Sequence, residues 1–106
     1  VLTCLANDEG YDDIYSRQLA VDGQAGDILI VFSGSGNSGN ILSALNQAKA
    51  MKIQSFAVLG YSGGKAKELA DEPIHFSVND MQISEDLQMI LIHMIMQWLC
   101  VNPPRT

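Results

Sequence analysis

The segment that most constrains the fold is an unbroken apolar run at residues 28–32, followed at once by seven residues that are all Ser, Gly or Asn. A continuous run rich in β-branched residues is typical of a strand that is covered on both faces. After the loop, apolar residues recur at helical spacing over residues 40–51. The segment therefore predicts a strand, a polar loop and a helix in succession.

The rest of the chain continues this alternation. Strands are predicted at residues 53–59 and 73–78, and helices at 65–70 and 84–100. Near the start, an apolar stretch at 1–5 and a polar turn at 7–10 precede a helix that Asp12 or Asp13 can cap and Gly23 can end. Strands that alternate with helices form a parallel sheet, and ligands bind beyond the carboxyl ends of its strands.

The charge balance excludes several classes of partner. The chain has 6 Lys and Arg against 12 Asp and Glu, a formal net charge of −6. Nucleic acids and anionic membranes both attract a basic face, so we expect neither as a partner. The most apolar stretch, at 89–96, is too short for a membrane span, and we recognise no secretory leader. Cys4 and Cys100 lie outside any zinc-ligand spacing, which favours unpaired thiols in a cytoplasmic protein.

Nucleotide-binding patterns are met only in part. Gly34, Gly36 and Gly39 match the dinucleotide pattern GxGxxG, but the next strand ends without the carboxylate that would hold a ribose hydroxyl. A second glycine-rich loop, at 60–64, precedes Lys65 but lacks both the first Gly and the Ser or Thr of a Walker loop. We therefore predict no nucleotide cofactor.

Two interpretations of the loop at 33–39 then compete. Ser33, Ser35 and Ser38 can surround a phosphate together with the N–H groups at the start of the following helix. Alternatively, the loop is a simple turn between strand and helix, since natural turns use these residue types. Seven such residues exceed what a short connection requires, which favours the phosphate site.

Four motifs complete the pattern. Residues 6–10 read Ala-Asn-Asp-Glu-Gly, residues 33–38 read Ser-Gly-Ser-Gly-Asn-Ser, Gly63-Gly64-Lys65 follow the second strand, and Gln88 lies on the last helix. Together they resemble the SIS (sugar isomerase) domain family, most closely its phosphoheptose isomerase branch, over nearly the whole chain. That branch usually has Ser-Thr-Ser-Gly-Asn-Ser, so Gly34 replaces its Thr. The resemblance implies an SIS-type, flavodoxin/Rossmann-like three-layer α/β sandwich with a parallel sheet.

The resemblance also implies roles for individual residues. Those assigned to a phosphorylated sugar are Asn7, Asp8, Ser33, Gly34, Ser35, Ser38 and Gln88. The first two would contact the sugar chain, and the serines would hold the phosphate. Gln88 would bind the substrate or a metal, with zinc as the candidate. Glu85 lies where the branch has an acidic residue, and the assembly implied is a homotetramer with sites between subunits.

Two departures from the family concern catalysis. The family's catalytic histidine, eight residues beyond the glutamine, falls on Met96, which cannot accept a proton. His93 is close in sequence, but on a helix it lies about 60° from Met96 and about 140° from Gln88. The family's first strand, first phosphate loop and catalytic glutamate lie before Val1. We therefore expect residues 1–106 to be the C-terminal portion of a single SIS domain.

The implied reaction is a ketose–aldose isomerisation through an enediol, which needs a base and an acid. Asp8, Glu85 and His93 are the candidates in this chain, with Glu85 and His93 as our catalytic assignments. The predicted function is conversion of sedoheptulose 7-phosphate to a heptose 7-phosphate for lipopolysaccharide or capsule precursors. The alternative is a non-catalytic SIS module that binds a phosphosugar or bridges a protein partner, such as a replication initiator.

The last helix carries a further signal. Apolar side chains surround it on nearly all sides, which is typical of a helix buried on most of its surface. Either an N-terminal segment or an oligomer interface would cover it, and the implied homotetramer suits the second option.

Overall fold

The computed structural model describes residues 1–105, and its helices and strands follow the predicted alternation. The elements are α1 (Leu2–Asp8), a 3-10 turn (Tyr11–Asp13), α2 (Ile14–Asp22), β1 (Ile28–Ser33), α3 (Gly39–Ala50), β2 (Gln54–Leu59), α4 (Ala66–Leu69), β3 (Glu72–His75) and α5 (Met81–Val101).

The three strands form one parallel sheet in the order β1-β2-β3. Ser33 lies opposite Leu59, so the loops after β1 and β2 leave the sheet at the same level. A helix connects each strand to the next, as parallel neighbours require. The predicted α/β fold with a parallel sheet is confirmed.

The hydrophobic core lies between one face of this sheet and helices α3 and α4. Its buried members are Val31, Leu45, Ala57, Leu59, Ala66 and Ala70. Side chains alternate between the two faces of a strand, so Ala57 and Leu59, two residues apart, both point into this core. This core fixes β1, β2 and α3 relative to one another and so fixes the loops between them.

Helix α5 covers the opposite face of the sheet only in part. A gap of about 280 Å³ lies between the sheet and Leu91 and Ile95 of α5. Ile28 is 61% exposed and Ile30 is 43% exposed. The expectation that the first strand is covered on both faces is therefore wrong for the described residues. The reason is that β1 is an edge strand, whereas α5 contacts the central strand β2.

Helix α5 runs from the carboxyl end of the sheet towards its amino end. Ser84 is buried against Gly60, just beyond β2, whereas Leu91 and Ile95 lie near Ile28 at the start of β1. The outward surface of α5 is apolar and exposed, with Met89, Ile90, Met94, Met96, Trp98 and Leu99 among its residues. Within residues 1–105, none of the helices combines the length and apolarity needed to cross a membrane.

Three boundaries differ from the sequence prediction by more than one residue. Asn7 and Asp8 end helix α1 and do not form a polar turn. The last helix begins at Met81, three residues early, because the Asp80 side chain accepts a hydrogen bond from the N–H of Ile83. The third strand ends at His75, earlier than predicted. Gly23 ends α2 as predicted, although Asp13 at the other end makes no side-chain cap.

Candidate functional site

Two loops meet at the carboxyl end of the sheet, where parallel sheets bind ligands. The first, residues 33–39, joins β1 to α3, and we call it the serine loop. The second, residues 60–64, follows β2, and we call it the glycine loop. The N–H of Gly60 donates to the carbonyl of Gly34 at 3.0 Å, and that of Ala66 donates to the carbonyl of Gly36 at 2.9 Å. These bonds join the loops into one surface.

The serine hydroxyls of the first loop have different environments. Ser33 is buried, and its Oγ accepts from the N–H of Gly36 at 3.0 Å. The Oγ of Ser35 accepts from the N–H of Asn37 at 3.2 Å. Ser38 is exposed at the N-cap of α3 and makes no side-chain cap bond. A hydroxyl that accepts one bond can still donate its proton, so all three can donate to an anion.

The serine loop leads directly into the N-terminus of α3, a helix of 12 residues. The N–H groups of a first helical turn have no partners within the helix, and the helix dipole favours negative charge there. The Ser38 carbonyl accepts the first intrahelical bonds, from Ile41 and Leu42. The loop thus brings serine hydroxyls next to the N-terminus of a helix, an arrangement that suits a phosphate group.

An acidic side chain lies beside this helix terminus. The space next to the Cα of Gly39 is occupied by the carboxylate of Asp12, so a Cβ at Gly39 would lie 2.5 Å from an Asp12 oxygen. Sequence reasoning considered Asp12 only as a cap for α2. The available signal was Gly39 itself, because a glycine that opens a helix indicates a close neighbour.

The two residues assigned to the sugar chain lie on α1. The side-chain amide of Asn7 donates to the carboxylate of Asp8 at 2.9 Å. Asp8 also accepts a weak bond from the thiol of Cys4 at 3.5 Å. Between residues 1 and 105, neither side chain forms a hydrogen bond to the serine loop. The described chain thus places the serines together but does not join Asn7 and Asp8 to them.

The first turn of α5 lies against both loops. Met81 covers Gly34, and Ser84 lies so close to Gly60 that a Cβ there would overlap its hydroxyl. The Ser84 Oγ is buried and has no hydrogen-bond partner among the described residues. Glu85 follows Ser84 and is exposed at the same level of the helix.

The other two α5 candidates lie away from the loops. The Gln88 side chain is half-buried, and its amide donates to the Val58 carbonyl at 3.3 Å. His93 is nine residues after Ser84, which places it about 180° round the helix on the outward side. It also lies about 12 Å along the helix from Glu85, at 1.5 Å per residue. Glu85 and His93 are therefore not adjacent within this chain.

The residues fit poorly with a metal centre. Within residues 1–105, no three His, Cys, Asp or Glu side chains are grouped to hold a metal ion. Gln88, the residue assigned to a metal, uses its side chain on the sheet backbone. We therefore derive no step through a metal, and zinc stays a prediction from the resemblance.

Comparison with known proteins assigns the family. The SIS domain model matches residues 1–60, which include α1, the serine loop and α3. The chain belongs to the SIS domain family. The predicted resemblance to phosphoheptose isomerases is also confirmed by the relatives described next.

Curated relatives of this SIS chain are named phosphoheptose isomerase. The Vibrio vulnificus protein is 42% identical over 99 residues, which cover 91% of this chain and 51% of that protein. The Helicobacter pylori protein is 35% identical over 94 residues, which cover 89% of this chain and 49% of that protein. The SIS chain thus spans about half the length of the curated relatives it matches.

Solved structures agree with these relatives. The phosphoheptose isomerase of Neisseria gonorrhoeae superposes with a TM-score of 0.85 at 32% identity, over 87% of this chain and 52% of that one. The phosphoheptose isomerase of Francisella tularensis gives a TM-score of 0.84 at 28% identity, over 87% of this chain and 50% of that one. The SIS fold is therefore supported by sequence and by structure.

Proposed function

We propose that this SIS chain forms part of a sugar-phosphate isomerase resembling phosphoheptose isomerase, which converts sedoheptulose 7-phosphate to a heptose 7-phosphate. The observation that carries the proposal is the serine loop, whose hydroxyls lie at the N-terminus of α3. Each hydrogen bond to a charged acceptor contributes about 1.5–3 kcal/mol, so several donors can anchor a phosphate. The net charge of −6 makes these local donors necessary, because the field of the whole chain repels anions.

The reaction requires proton transfer between neighbouring carbon and oxygen atoms. A base removes the proton on the carbon beside the carbonyl, and an acid protonates the carbonyl oxygen to give an enediol. Protonation of the other carbon and loss of the proton from the other hydroxyl then give the isomeric sugar phosphate. Glu85 and His93 are our candidates for this acid and base, with Asp8 as a further candidate.

The family's glutamine and histidine can be aligned with α5 in a second way, and this second register supports Glu85 and His93 as site residues. The spacing of eight residues that separates Gln88 from Met96 also separates Glu85 from His93. In that register His93 takes the position of the family's histidine and Glu85 that of its glutamine. The contacts of α5 favour this register, because Glu85 adjoins Ser84 beside the loops whereas Gln88 is bound to Val58.

The chain is proposed to be the C-terminal portion of one SIS domain. Two observations support this proposal. The chain covers about half the length of each relative, and within the described residues the edge of the sheet at β1 is not paired with another strand. A groove of about 510 Å³ follows the free edge of β1, between that strand and helices α2 and α3. Its lining includes Tyr15, Leu19 and Leu29. A further strand of the same domain would use both the free edge and this apolar groove.

We propose assembly into a homotetramer through the outward surface of α5. Exposed Met and Ile side chains surround His93 on this surface, and large apolar patches of this kind mark interaction sites. In a site between subunits, His93 of one copy would lie near the serine loop of another copy. The separation of about 12 Å between Glu85 and His93 along α5 of one chain favours this arrangement. A cytoplasmic location and a role in lipopolysaccharide or capsule precursor synthesis belong to the same proposal.

The alternative is a module that binds a phosphosugar or bridges a protein partner without catalysis. It is favoured by one observation, namely that within residues 1–105 the candidate acid and base lie about 12 Å apart along α5, at 1.5 Å per residue. Such a module would keep the serine loop and bind sugar phosphates without converting them.

The deciding experiment is turnover of sedoheptulose 7-phosphate by the intact protein, with and without zinc, beside a thermal-shift assay of binding. Ser38→Ala removes a hydroxyl that caps nothing, so we expect about tenfold weaker binding with unchanged stability. Ser62→Ala in the glycine loop is the matched control. Turnover supports the isomerase, and binding without turnover supports the module. No binding of any phosphosugar would refute the isomerase and the phosphosugar-binding module, and would leave the protein-bridging module.

A further inference from the structure

The serine loop depends on the glycine loop for its shape, because their backbones touch. Gly36 has a φ of 71° and Gly64 a φ of 56°. A Cβ on Gly36 would overlap the carbonyl of Gly63, and a Cβ on Gly64 would lie 2.5 Å from the carbonyl oxygen of Ser35. Neither glycine could therefore carry a side chain, and the backbones of the two loops are in direct contact at this junction.

Asn37 contributes a side chain to this junction. Its Oδ1 accepts a hydrogen bond from the N–H of Lys65 at 3.0 Å, across 28 residues of sequence. Its own N–H donates to the Oγ of Ser35 at 3.2 Å. Asn37 therefore connects Ser35 on one side and, on the other, the backbone of Lys65 directly after the glycine loop, and Ser38 follows Asn37 directly.

The chemistry of this bond argues against a direct contact between the Asn37 oxygen and an anion. Phosphate oxygens need donors, whereas Oδ1 is an acceptor that already faces an N–H group. The oxygen thus contributes to a phosphate site by holding the loop. Without this bond the exposed loop would sample other conformations. Part of the binding free energy would then be used to order the loop, which weakens ligand binding.

We propose that Asn37 is a positioning residue: its carboxamide fixes the serine loop to Lys65 and so holds Ser35 and Ser38 in the arrangement that binds phosphate. The proposal rests on the phosphate-binding role of the serine loop. It assigns to the glycine loop the function of a support for the serine loop.

The test compares Asn37→Ala with Asn37→Asp in the intact protein. Binding of sedoheptulose 7-phosphate and of inorganic phosphate is measured by calorimetry, and exchange of the Lys65 amide is measured by hydrogen exchange without ligand. For Asn37→Ala we expect about tenfold weaker binding and about tenfold faster exchange, the loss that one such hydrogen bond gives. Asn37→Asp keeps an acceptor oxygen and should restore slow exchange. Asn46→Ala, at an exposed position of α3 two turns from the serine loop, should change neither.

The outcomes separate this proposal from the proposed function. If the wild-type protein binds neither sedoheptulose 7-phosphate nor inorganic phosphate, the phosphate site is refuted, and the positioning role of Asn37 is refuted with it. Wild-type binding that Asn37→Ala leaves intact overturns the positioning role alone. Weaker binding with unchanged Lys65 exchange would make Asn37 a direct ligand and also overturns it. Fast exchange in Asn37→Asp would show that the bond to Lys65 is not the cause.

Discussion

At the scale of single residues, Ser33 and Ser35 can each stabilise the serine loop and also donate a hydrogen bond to a ligand. The Ser33 and Ser35 oxygens accept bonds from backbone N–H groups of their own loop, which fixes the loop before any ligand arrives. Their protons stay available to an anion, since a hydroxyl both donates and accepts. The place of these serines was predictable from the sequence, because a loop between a strand and the next helix lies at the carboxyl end of a parallel sheet. The position of Asp12 was not predictable, because its proximity to Gly39 depends on how the 3-10 turn at Tyr11–Asp13 packs against α3.

Asp12→Asn should tighten binding of a phosphosugar. The Asp12 carboxylate lies beside the N-terminus of α3, so it opposes a second negative group there. Charges at helix ends contribute about 0.3–1 kcal/mol, which predicts up to about a fivefold lower dissociation constant at low salt. Titration at low and high salt checks this, since screening should shrink the gain. Asp22→Asn, at the far end of α2, is the control. Unchanged or weaker binding would contradict the prediction.

At the scale of elements, the sequence predicts strands better than helix ends. The apolar runs that form β1 and β2 predict strands because each is short, continuous and rich in residues that favour strands, although β1 is covered on only one face in the described residues. Helix α5 starts three residues before its predicted start, because an aspartate cap is a local hydrogen bond and not a periodic pattern. Likewise, the bond from Gln88 to Val58 follows from the position of α5 over β2, which no spacing along the chain encodes.

Asp80→Ala should loosen the first turn of α5 and, through it, both loops. Losing the bond from Asp80 to the N–H of Ile83 should lower the free energy of unfolding by about 1 kcal/mol. Because Met81 and Ser84 of that turn contact Gly34 and Gly60, amide exchange in the serine and glycine loops should also rise. Chemical denaturation and hydrogen exchange check the two parts. Asp86→Ala, one turn into the helix, should change neither, and equal effects from both variants would refute the capping role.

At the scale of the whole molecule, the described chain leaves apolar surface uncovered in several places. These are the free edge of β1, the sheet face at Ile28 and Ile30, and the outward side of α5. Soluble domains rarely expose this much contiguous apolar surface without a partner for it. The first two surfaces adjoin the sheet and suit a further part of the same domain, whereas the side of α5 faces away from it. The sequence indicated this last surface directly, since the helix is apolar on nearly all sides.

Ile90→Glu should therefore reduce the size of the assembly that the intact protein forms. Ile90 is exposed on the outward side of α5, one turn before His93, and a buried carboxylate without a partner opposes association strongly. Sedimentation should show a tetramer for the wild type and smaller species for the variant. Val21→Glu adds the same charge at an exposed apolar position on α2 and should leave the tetramer intact. If catalysis needs His93 from a neighbouring copy, turnover should fall with the assembly while phosphosugar binding to the serine loop persists. A variant that stays tetrameric would exclude this side of α5 as the interface, and full turnover by a monomer would place His93 within reach of its own serine loop.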